Sequence, residues 1–140
     1  DFILIDCAAG LGREAISAIK HSDKMLIVAN PELASVANAS KTIQHAKDFG
    51  VEPIGVILNR IGRHKQELTE EEMESLFHKL PVLGRIPEDK KIPMSNKNSE
   101  AIINYYPKSK PSKEFRKIAR SLSGEEKRSF WERFKDLFGG

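Results

Sequence analysis

The sequence has very little cysteine: Cys7 is the single one among 140 residues. A disulfide within the chain is therefore excluded, and the composition fits a reducing compartment such as the cytoplasm. Long apolar runs are also absent, so no segment resembles a transmembrane helix, and no signal peptide is visible. The net charge of +3 is too small to indicate nucleic-acid binding by itself. We therefore expect a cytoplasmic protein with no nucleic acid among its partners.

Aromatic residues make up only 7% of the chain, yet four of them fall within residues 128–138. The apolar residues of this segment recur at the spacing of one helix face and are Phe130, Trp131, Phe134, Leu137 and Phe138. About 13 helical residues span roughly 20 Å, less than the roughly 30 Å hydrocarbon core of a bilayer. The predicted helix would therefore lie in a membrane interface rather than cross it. A terminal helix packed on its own domain is the alternative.

The stretch before this predicted helix is basic. Residues 107–128 contain eight basic and three acidic side chains, a local net charge of +5. An anionic membrane surface would attract such a segment by about 1 kcal/mol per basic residue, although an ordinary solvated helix face has the same composition. We predict a domain over 1–121, a linker over 122–127 and an amphipathic membrane-targeting helix over 128–140.

Apolar runs of strand length alternate with helical patterns along the rest of the chain. The predicted strands are Phe2–Ile5, Met25–Ala29, Pro53–Leu58 and Val82–Ile86. The predicted helices are about 12–20, Glu32–Phe49, Thr69–Lys79, Ser99–Tyr105 and Ser112–Ser121. Strands that lack polar alternation and are separated by helices indicate a mostly parallel sheet covered on both faces. The predicted fold class is therefore α/β, with a doubly wound, mostly parallel sheet.

Polar residues follow the predicted strands, and in parallel α/β sheets ligands bind beyond the carboxyl ends of the strands. The residues at these ends are Asp6, Asn30, Asn59–Arg60 and Pro87–Asp89. An Asp after an apolar strand suits magnesium chemistry near a nucleotide phosphate, with a turn-capping Asp as the alternative. The amide of Asn59 can donate to and accept from a purine edge, with a turn Asn as the alternative.

Four segments occur in an order that is more specific than any one of them: 1–11 (DFILIDCAAGL), 28–32 (VANPE), 55–60 (GVILNR) and 84–89 (GRIPED). In this order they resemble the MinD branch of the MinD/ParA family, a group of deviant Walker P-loop ATPases. The final segment, from Phe130 onwards, is similar to the membrane-targeting sequence of the same branch. The resemblance extends over the whole chain and implies the C-terminal portion of a P-loop NTPase fold.

The resemblance implies a role for each matching residue. Asp6 would be the catalytic Walker B-like aspartate, which holds the magnesium shell without being a direct metal ligand. Switch II would consist of Asp6, Cys7, Ala8, Ala9, Gly10 and Leu11. Nucleotide-binding residues would be Asn59, Arg60, Pro87, Glu88 and Asp89. The dimer interface would include Asn30, Pro31 and Glu32, and the membrane-binding face would be Phe130, Trp131, Phe134, Leu137 and Phe138.

The function implied by the resemblance is that of a septum site-determining ATPase. The intact protein would use ATP and Mg²⁺, form an ATP-dependent homodimer and bind the anionic inner face of the cell membrane as a peripheral protein. There it would recruit a MinC-like division inhibitor, and a MinE-like or other topological regulator would stimulate hydrolysis and release. Two alternatives are a related ATPase that positions flagella or another polar structure, and a non-enzymatic interaction module whose tail docks on a partner.

Two features depart from the family pattern. Ala8 stands where the family usually has proline, which frees φ and leaves the switch less pre-set. The Gly-rich P-loop with its signature lysine, whose backbone N–H groups would cradle the phosphates, is not in this chain. The chain also opens directly on an apolar strand without a start methionine, so we predict a fragment whose N-terminal part is missing. Such a fragment should bind ATP poorly and hydrolyse none.

Overall fold

A computed structural model describes residues 2–8 and 10–124 of the chain. Three strands, β1 (Lys24–Ala29), β2 (Glu52–Ile61) and β3 (Val82–Pro87), form one sheet in which β2 lies between the other two. The helices of this part of the chain are α1 (Arg13–Lys20), α2 (Leu33–Asp48), α3 (Glu70–Leu76), α4 (Lys91–Lys97), α5 (Ile102–Tyr105) and α6 (Lys110–Ser123). Strands and helices alternate as far as α4.

The central strand of the sheet is buried on both faces. β1 pairs with β2 in parallel, and Ala29 at the end of β1 lies opposite Leu58. Val56, Ile57 and Leu58 are consecutive and all buried. Because successive strand residues point to opposite faces of a sheet, this pattern requires cover on both sides. The predicted α/β class with a parallel sheet is confirmed.

The chain divides into two compact units, the first ending at Arg85 and the second beginning at Ile86. The core of the first unit joins the sheet to α2 and α3, and its fully buried side chains are Val36, Ile43, Val56, Leu58 and Phe77. The second unit contains α4, α5 and α6. Its buried Ser112 places Oγ 3.0 Å from the carbonyl oxygen of Ile102 and 2.7 Å from that of Tyr106.

The first predicted strand, Phe2–Ile5, is not a strand in the structure. Its side chains are exposed, from 53% for Ile5 to 92% for Ile3. An apolar run becomes a central strand only where neighbouring strands bond to it and helices cover its faces. No strand of the described residues pairs with this segment, so its apolar composition has nothing to pack against.

Helix α3 begins where the sequence predicts and ends earlier. Glu72 N–H donates to Thr69 Oγ1 at 3.3 Å, and Thr69 N–H donates to Glu72 Oε2 at 2.8 Å, which confirms the predicted capping box. The helix ends at Leu76 rather than at Lys79. The physical reason is that His78 and Lys79 have left-handed φ angles of 54° and 64°, which no α-helix accommodates.

Helix α4 has no counterpart among the predicted elements. Its Pro93 suggests a break in a helical pattern, yet this proline lies in the first turn, where its missing N–H costs no helical hydrogen bond. Asp89 Oδ1 accepts a hydrogen bond from Lys91 N–H at 2.9 Å. The carboxylate thereby satisfies one of the free N–H groups at the start of the helix.

Helix α6 continues to Ser123 and ends at Gly124, which has a left-handed φ of 74°. Of the predicted linker 122–127, residues 122 and 123 therefore belong to α6, and Gly124 is its C-terminal cap. The rest of the linker and the predicted membrane-targeting helix 128–140 lie outside the described residues.

Gly55 is a position at which we expect a side chain to destabilise the fold. A Cβ there would lie 2.6 Å from Leu83 Cγ and 2.9 Å from the carbonyl oxygen of Pro81. Val56 N–H donates to the same carbonyl at 2.9 Å, so the backbone cannot move away without losing that bond. We expect Gly55→Ala to lower the free energy of unfolding by about 1–3 kcal/mol in urea denaturation.

Gly12 provides a matched control for this substitution. A Cβ at Gly12 would meet nothing within 4 Å, and its φ of −65° is one that alanine adopts freely. Equal urea midpoints for Gly55→Ala and Gly12→Ala would contradict the steric argument.

Candidate nucleotide site at the strand ends

The carboxyl end of β1 lies beside the last part of β2, which itself ends at Ile61. Ala29 and Leu58 are partners across the sheet, and Asn30 and Asn59 are the residues that follow them. The structure thus brings together two of the strand-end groups that the sequence singles out, both within the first unit.

The segment Asn30–Glu32 forms a bend between β1 and α2 whose backbone is fixed by hydrogen bonds. Asn30 N–H donates to Ser35 Oγ at 2.9 Å, and Glu32 N–H donates to the carbonyl oxygen of Asn30 at 2.8 Å. Pro31 is buried, whereas Asn30 and Glu32 are half-buried. Their side chains are therefore partly accessible beside the end of β1.

Strand β2 continues past its predicted end at Leu58 and includes Asn59 and Arg60. Asn59 is half-buried, and its side-chain amide forms no hydrogen bond with another described residue. Its donor and acceptor are therefore available to a purine edge. Arg60 has a left-handed φ of 61°, which is uncommon for a residue with a side chain, and the chain turns there into the loop that follows.

A carboxylate organises the loop after β2. Glu67 accepts hydrogen bonds from the backbone N–H groups of Gly62 at 2.9 Å, Arg63 at 2.7 Å and His64 at 3.1 Å. Successive backbone N–H groups that converge in this way form a concave anion-binding nest. Here the anion is a side chain of the same loop. This arrangement was not predicted, since no sequence motif marks a Glu whose carboxylate accepts hydrogen bonds from preceding backbone N–H groups.

The pKa of Glu67 lies below its ordinary value. Burial alone would raise the pKa, but hydrogen bonds from the N–H groups of Gly62, His64 and Arg63 lower it, and the nearby His64 ring adds a smaller electrostatic effect. Because the folded-state pKa is depressed, the stabilisation is complete above the unfolded value of about 4.3. It is lost only as the pH falls through the lower folded-state pKa, so the loop is held throughout the neutral range.

The loop after β2 also contacts the bend after β1. Leu68 N–H donates to the carbonyl oxygen of Pro31 at 2.9 Å. His64 Nε2 lies 3.8 Å from Glu32 Oε1, a pair that is ionic when the imidazole is protonated. The two strand-end segments are therefore joined by a backbone hydrogen bond and a polar side-chain pair.

No hydrogen bond, ion pair or strand pairing joins the described residues of the predicted switch II to these strand ends. Gly10, with a φ of 93°, begins the turn towards α1. No hydrogen bond or ion pair joins the Asp6 carboxylate to another described residue. The exposed members of the segment are Asp6, Cys7, Ala8 and Gly10, Leu11 is half-buried, and Ala9 lies outside the described residues.

The third predicted group follows β3 and belongs to the second unit. Pro87 is the last residue of β3, and Glu88 is exposed. Asp89 is half-buried and bonds to the first turn of α4, as described above. Its carboxylate therefore bonds to the start of α4, a helix that was not among the predicted elements.

A nucleotide and its magnesium ion fit these residues unequally. Asn59 offers a half-buried amide to a base. The backbone nest that could have bound a phosphate is filled by Glu67. Within residues 2–8 and 10–124, no group of three or more His, Cys, Asp or Glu side chains could hold a metal ion. The described residues therefore present an unbonded side-chain amide at Asn59 and a backbone nest that a carboxylate already occupies.

The predicted membrane-binding residues from Phe130 to Phe138 lie outside the described residues. Among the helices from α1 to α6, none combines the length and the apolar character that crossing a bilayer requires.

A parallel α/β sheet with polar residues near the carboxyl ends of its strands is an architecture that nucleotide-binding proteins use. A family model described as "ParA: NUBPL iron-transfer P-loop NTPase" matches residues 1–123. The chain belongs to this ParA family of P-loop NTPases.

Two curated relatives illustrate the similarity. An uncharacterized ATP-binding protein of Methanocaldococcus jannaschii is 33% identical over 99% of this chain and 56% of its own length. The septum site-determining protein MinD of Synechocystis is 31% identical over 90% of this chain and 48% of its own length. The chain spans about half the length of the curated relatives it matches.

Solved MinD structures share the fold. The cell division ATPase MinD of Pyrococcus furiosus has a TM-score of 0.83 and 35% identity, covering 89% of this chain and 52% of the other. MinD of Pyrococcus horikoshii complexed with Mg-ADP has a TM-score of 0.82 and 34% identity, covering 87% and 50%. The MinC:MinD complex of Aquifex aeolicus has a TM-score of 0.67 and 30% identity, covering 74% and 43%.

Proposed function

We propose that this chain is the C-terminal portion of a MinD-like ATPase that helps to place the division septum. The observation that carries the proposal is the joint similarity in fold and sequence to MinD of Pyrococcus furiosus. The iron-transfer activity in the family model's description has less support, because the Synechocystis relative and the solved structures reported above are MinD proteins.

In the full-length protein, ATP and Mg²⁺ would bind at the strand ends. Asn59 would contact the adenine base, and the other nucleotide-lining residues would be Arg60, Pro87, Glu88 and Asp89. Asp6 would order the magnesium shell, and switch II (6–11) would respond to the γ-phosphate. The bound Mg-ATP supplies the phosphoryl group, and its phosphates require a P-loop that this chain does not contain. The Mg-ADP complex of the Pyrococcus horikoshii relative supports this choice of cofactor.

ATP-driven dimerisation would control membrane binding through the tail. Burying five apolar side chains contributes at most about 7–15 kcal/mol, whereas ordering the helix costs about 1–2 kcal/mol per residue. One tail should therefore bind marginally. Two tails on one dimer gain about 10²–10⁴ in avidity, so a dimer formed through Asn30–Glu32 would bind anionic membrane where a monomer does not.

The membrane-bound dimer would act on division through partners. The MinC:MinD complex of Aquifex aeolicus supports a MinC-like inhibitor as one of them. A MinE-like or other topological regulator would stimulate hydrolysis and release the dimer from the inner face of the cell membrane. The protein would thus be cytoplasmic when monomeric and peripheral to the membrane when ATP-bound.

Co-sedimentation of the full-length protein with anionic liposomes tests this function. ATP should increase the pelleted fraction, and ADP should not. Asn59→Ala should require about 10–100-fold more ATP for the same effect, since a lost hydrogen-bonding pair is worth about 1–3 kcal/mol. Asn38→Ala, at an exposed position in α2, is the control.

The outcome separates the alternatives. Liposome binding that does not depend on nucleotide would favour an interaction module over an ATPase. ATP-dependent binding to liposomes without binding to purified MinC would favour an ATPase that positions flagella or another polar structure.

A further inference from the structure

The loop between β2 and α3 has a shape that needs support. Arg60 and Gly62 both have positive φ angles, 61° and 83°, and a left-handed conformation is unfavourable for arginine. The side chains of Gly62, Arg63 and His64 contribute no core, because all three residues are exposed. Three hydrogen bonds from the loop's own N–H groups to Glu67 hold residues 62–64 in this conformation. Hydrogen bonds to an ionised carboxylate are stronger than neutral ones, so this single side chain can fix the loop.

The same loop connects two strand ends. At one side it continues directly from Asn59 and Arg60 in β2. At the other side Leu68, the neighbour of Glu67, donates its N–H to Pro31 at 2.9 Å. His64, whose N–H is bonded to Glu67, faces the Glu32 carboxylate at 3.8 Å. A change in the conformation of this loop would therefore alter both the Asn59–Arg60 part of β2 and the Asn30–Glu32 bend.

We infer that Glu67 is a positioning residue that ties the end of β2 to the Asn30–Glu32 bend, so that the base-contacting and dimer-interface segments move together. The roles of these two segments rest on the function proposed above, whereas the tie itself rests on the loop geometry. Base binding at Asn59 would then be communicated to the bend through the loop, without a direct contact between nucleotide and bend.

Three variants test the tie. Glu67→Gln keeps the size of the side chain but turns an amide NH₂ group towards a backbone N–H, so one hydrogen bond becomes a repulsion between donors. Glu67→Asp keeps the charge and should restore part of the loop. Glu71→Gln removes an exposed carboxylate in the first turn of α3 that forms no bond with another described residue, and it is the matched control.

Amide hydrogen exchange is the first measurement. In Glu67→Gln, the exchange rates of the Gly62, Arg63, His64 and Leu68 amides should rise about tenfold. The rates in Glu67→Asp should lie between those of Glu67→Gln and of the unmodified protein. The rates in Glu71→Gln should equal those of the unmodified protein. Circular dichroism and thermal melting identify any variant that has lost the fold as a whole. A folded Glu67→Gln variant with unchanged exchange at Leu68 overturns the tie.

Base preference in the full-length protein is the second measurement. The affinity ratio of ADP to inosine diphosphate should fall about tenfold in Glu67→Gln, while competition by pyrophosphate should not change. A variant that loosens the loop but keeps the ratio overturns the positioning role. If the unmodified protein shows no adenine preference, the proposed base site is wrong, and the exchange at Leu68 alone then decides whether the tie exists.

Discussion

Replacing Phe134 with glutamate is expected to abolish ATP-dependent binding of the full-length protein to anionic liposomes. Phe134 is central to the apolar stripe that the sequence predicts for residues 128–138. Removing it forfeits about 1.5–3 kcal/mol of burial per tail, a factor of roughly 10–100 in affinity. A dimer carries two tails, so the loss is compounded, and the new carboxylate is also repelled by anionic headgroups.

The pelleted fraction in a sedimentation assay should fall to the value measured without liposomes. Asp136→Ala is the matched control, because Asp136 lies on the charged face of the predicted helix. Its loss should leave binding unchanged or strengthen it. Undiminished sedimentation of the Phe134→Glu dimer would show that the stripe packs on protein rather than on lipid.

The elements that the sequence predicted well are those determined by local chemistry. The apolar runs of β1, β2 and β3 are strands in the structure. They pair in one sheet, and side chains of this sheet pack on α2 and α3. The capping box of Thr69 and Glu72 formed as its spacing predicts. Phe2–Ile5 failed because local composition does not reveal whether a strand has a partner. Helix α4 was not among the predicted elements, and its Pro93 is compatible with a helix because it lies in the first turn.

The candidate site, like the fold, was predictable from the sequence only in part. Asn30 and Asn59 follow the partners Ala29 and Leu58 of neighbouring parallel strands, so their placement required no knowledge of the loops, although Asn59 lies within β2 rather than after it. Glu67 was not predictable, because its role depends on backbone N–H groups that converge only once Arg60 and Gly62 adopt positive φ angles. The residue periodicity that predicts strands and helices carries no information on the φ angles of such a loop.

The two strand ends can act together only if the core beneath them is rigid. Phe77 follows α3 and is fully buried among side chains of α2 and the sheet, including Val36, Ile43 and Leu58. Helix α3 in turn begins at Glu70, and only its N-cap Thr69 separates it from Leu68, the residue that bonds to Pro31. The packing of Phe77 therefore holds α3, the helix that follows this loop, in the core of the first unit.

Replacing Phe77 with alanine should lower the free energy of unfolding by about 3–5 kcal/mol. This is a large part of the roughly 5–15 kcal/mol by which a native domain is stable, so urea denaturation should show a much earlier midpoint. Phe49→Ala is the matched control: Phe49 is 37% exposed, and its ring interacts with Lys20 Nζ 4.8 Å from its centroid. Its loss should cost about 1 kcal/mol or less. Equal shifts in the two variants would contradict the assignment of Phe77 to the core of the first unit.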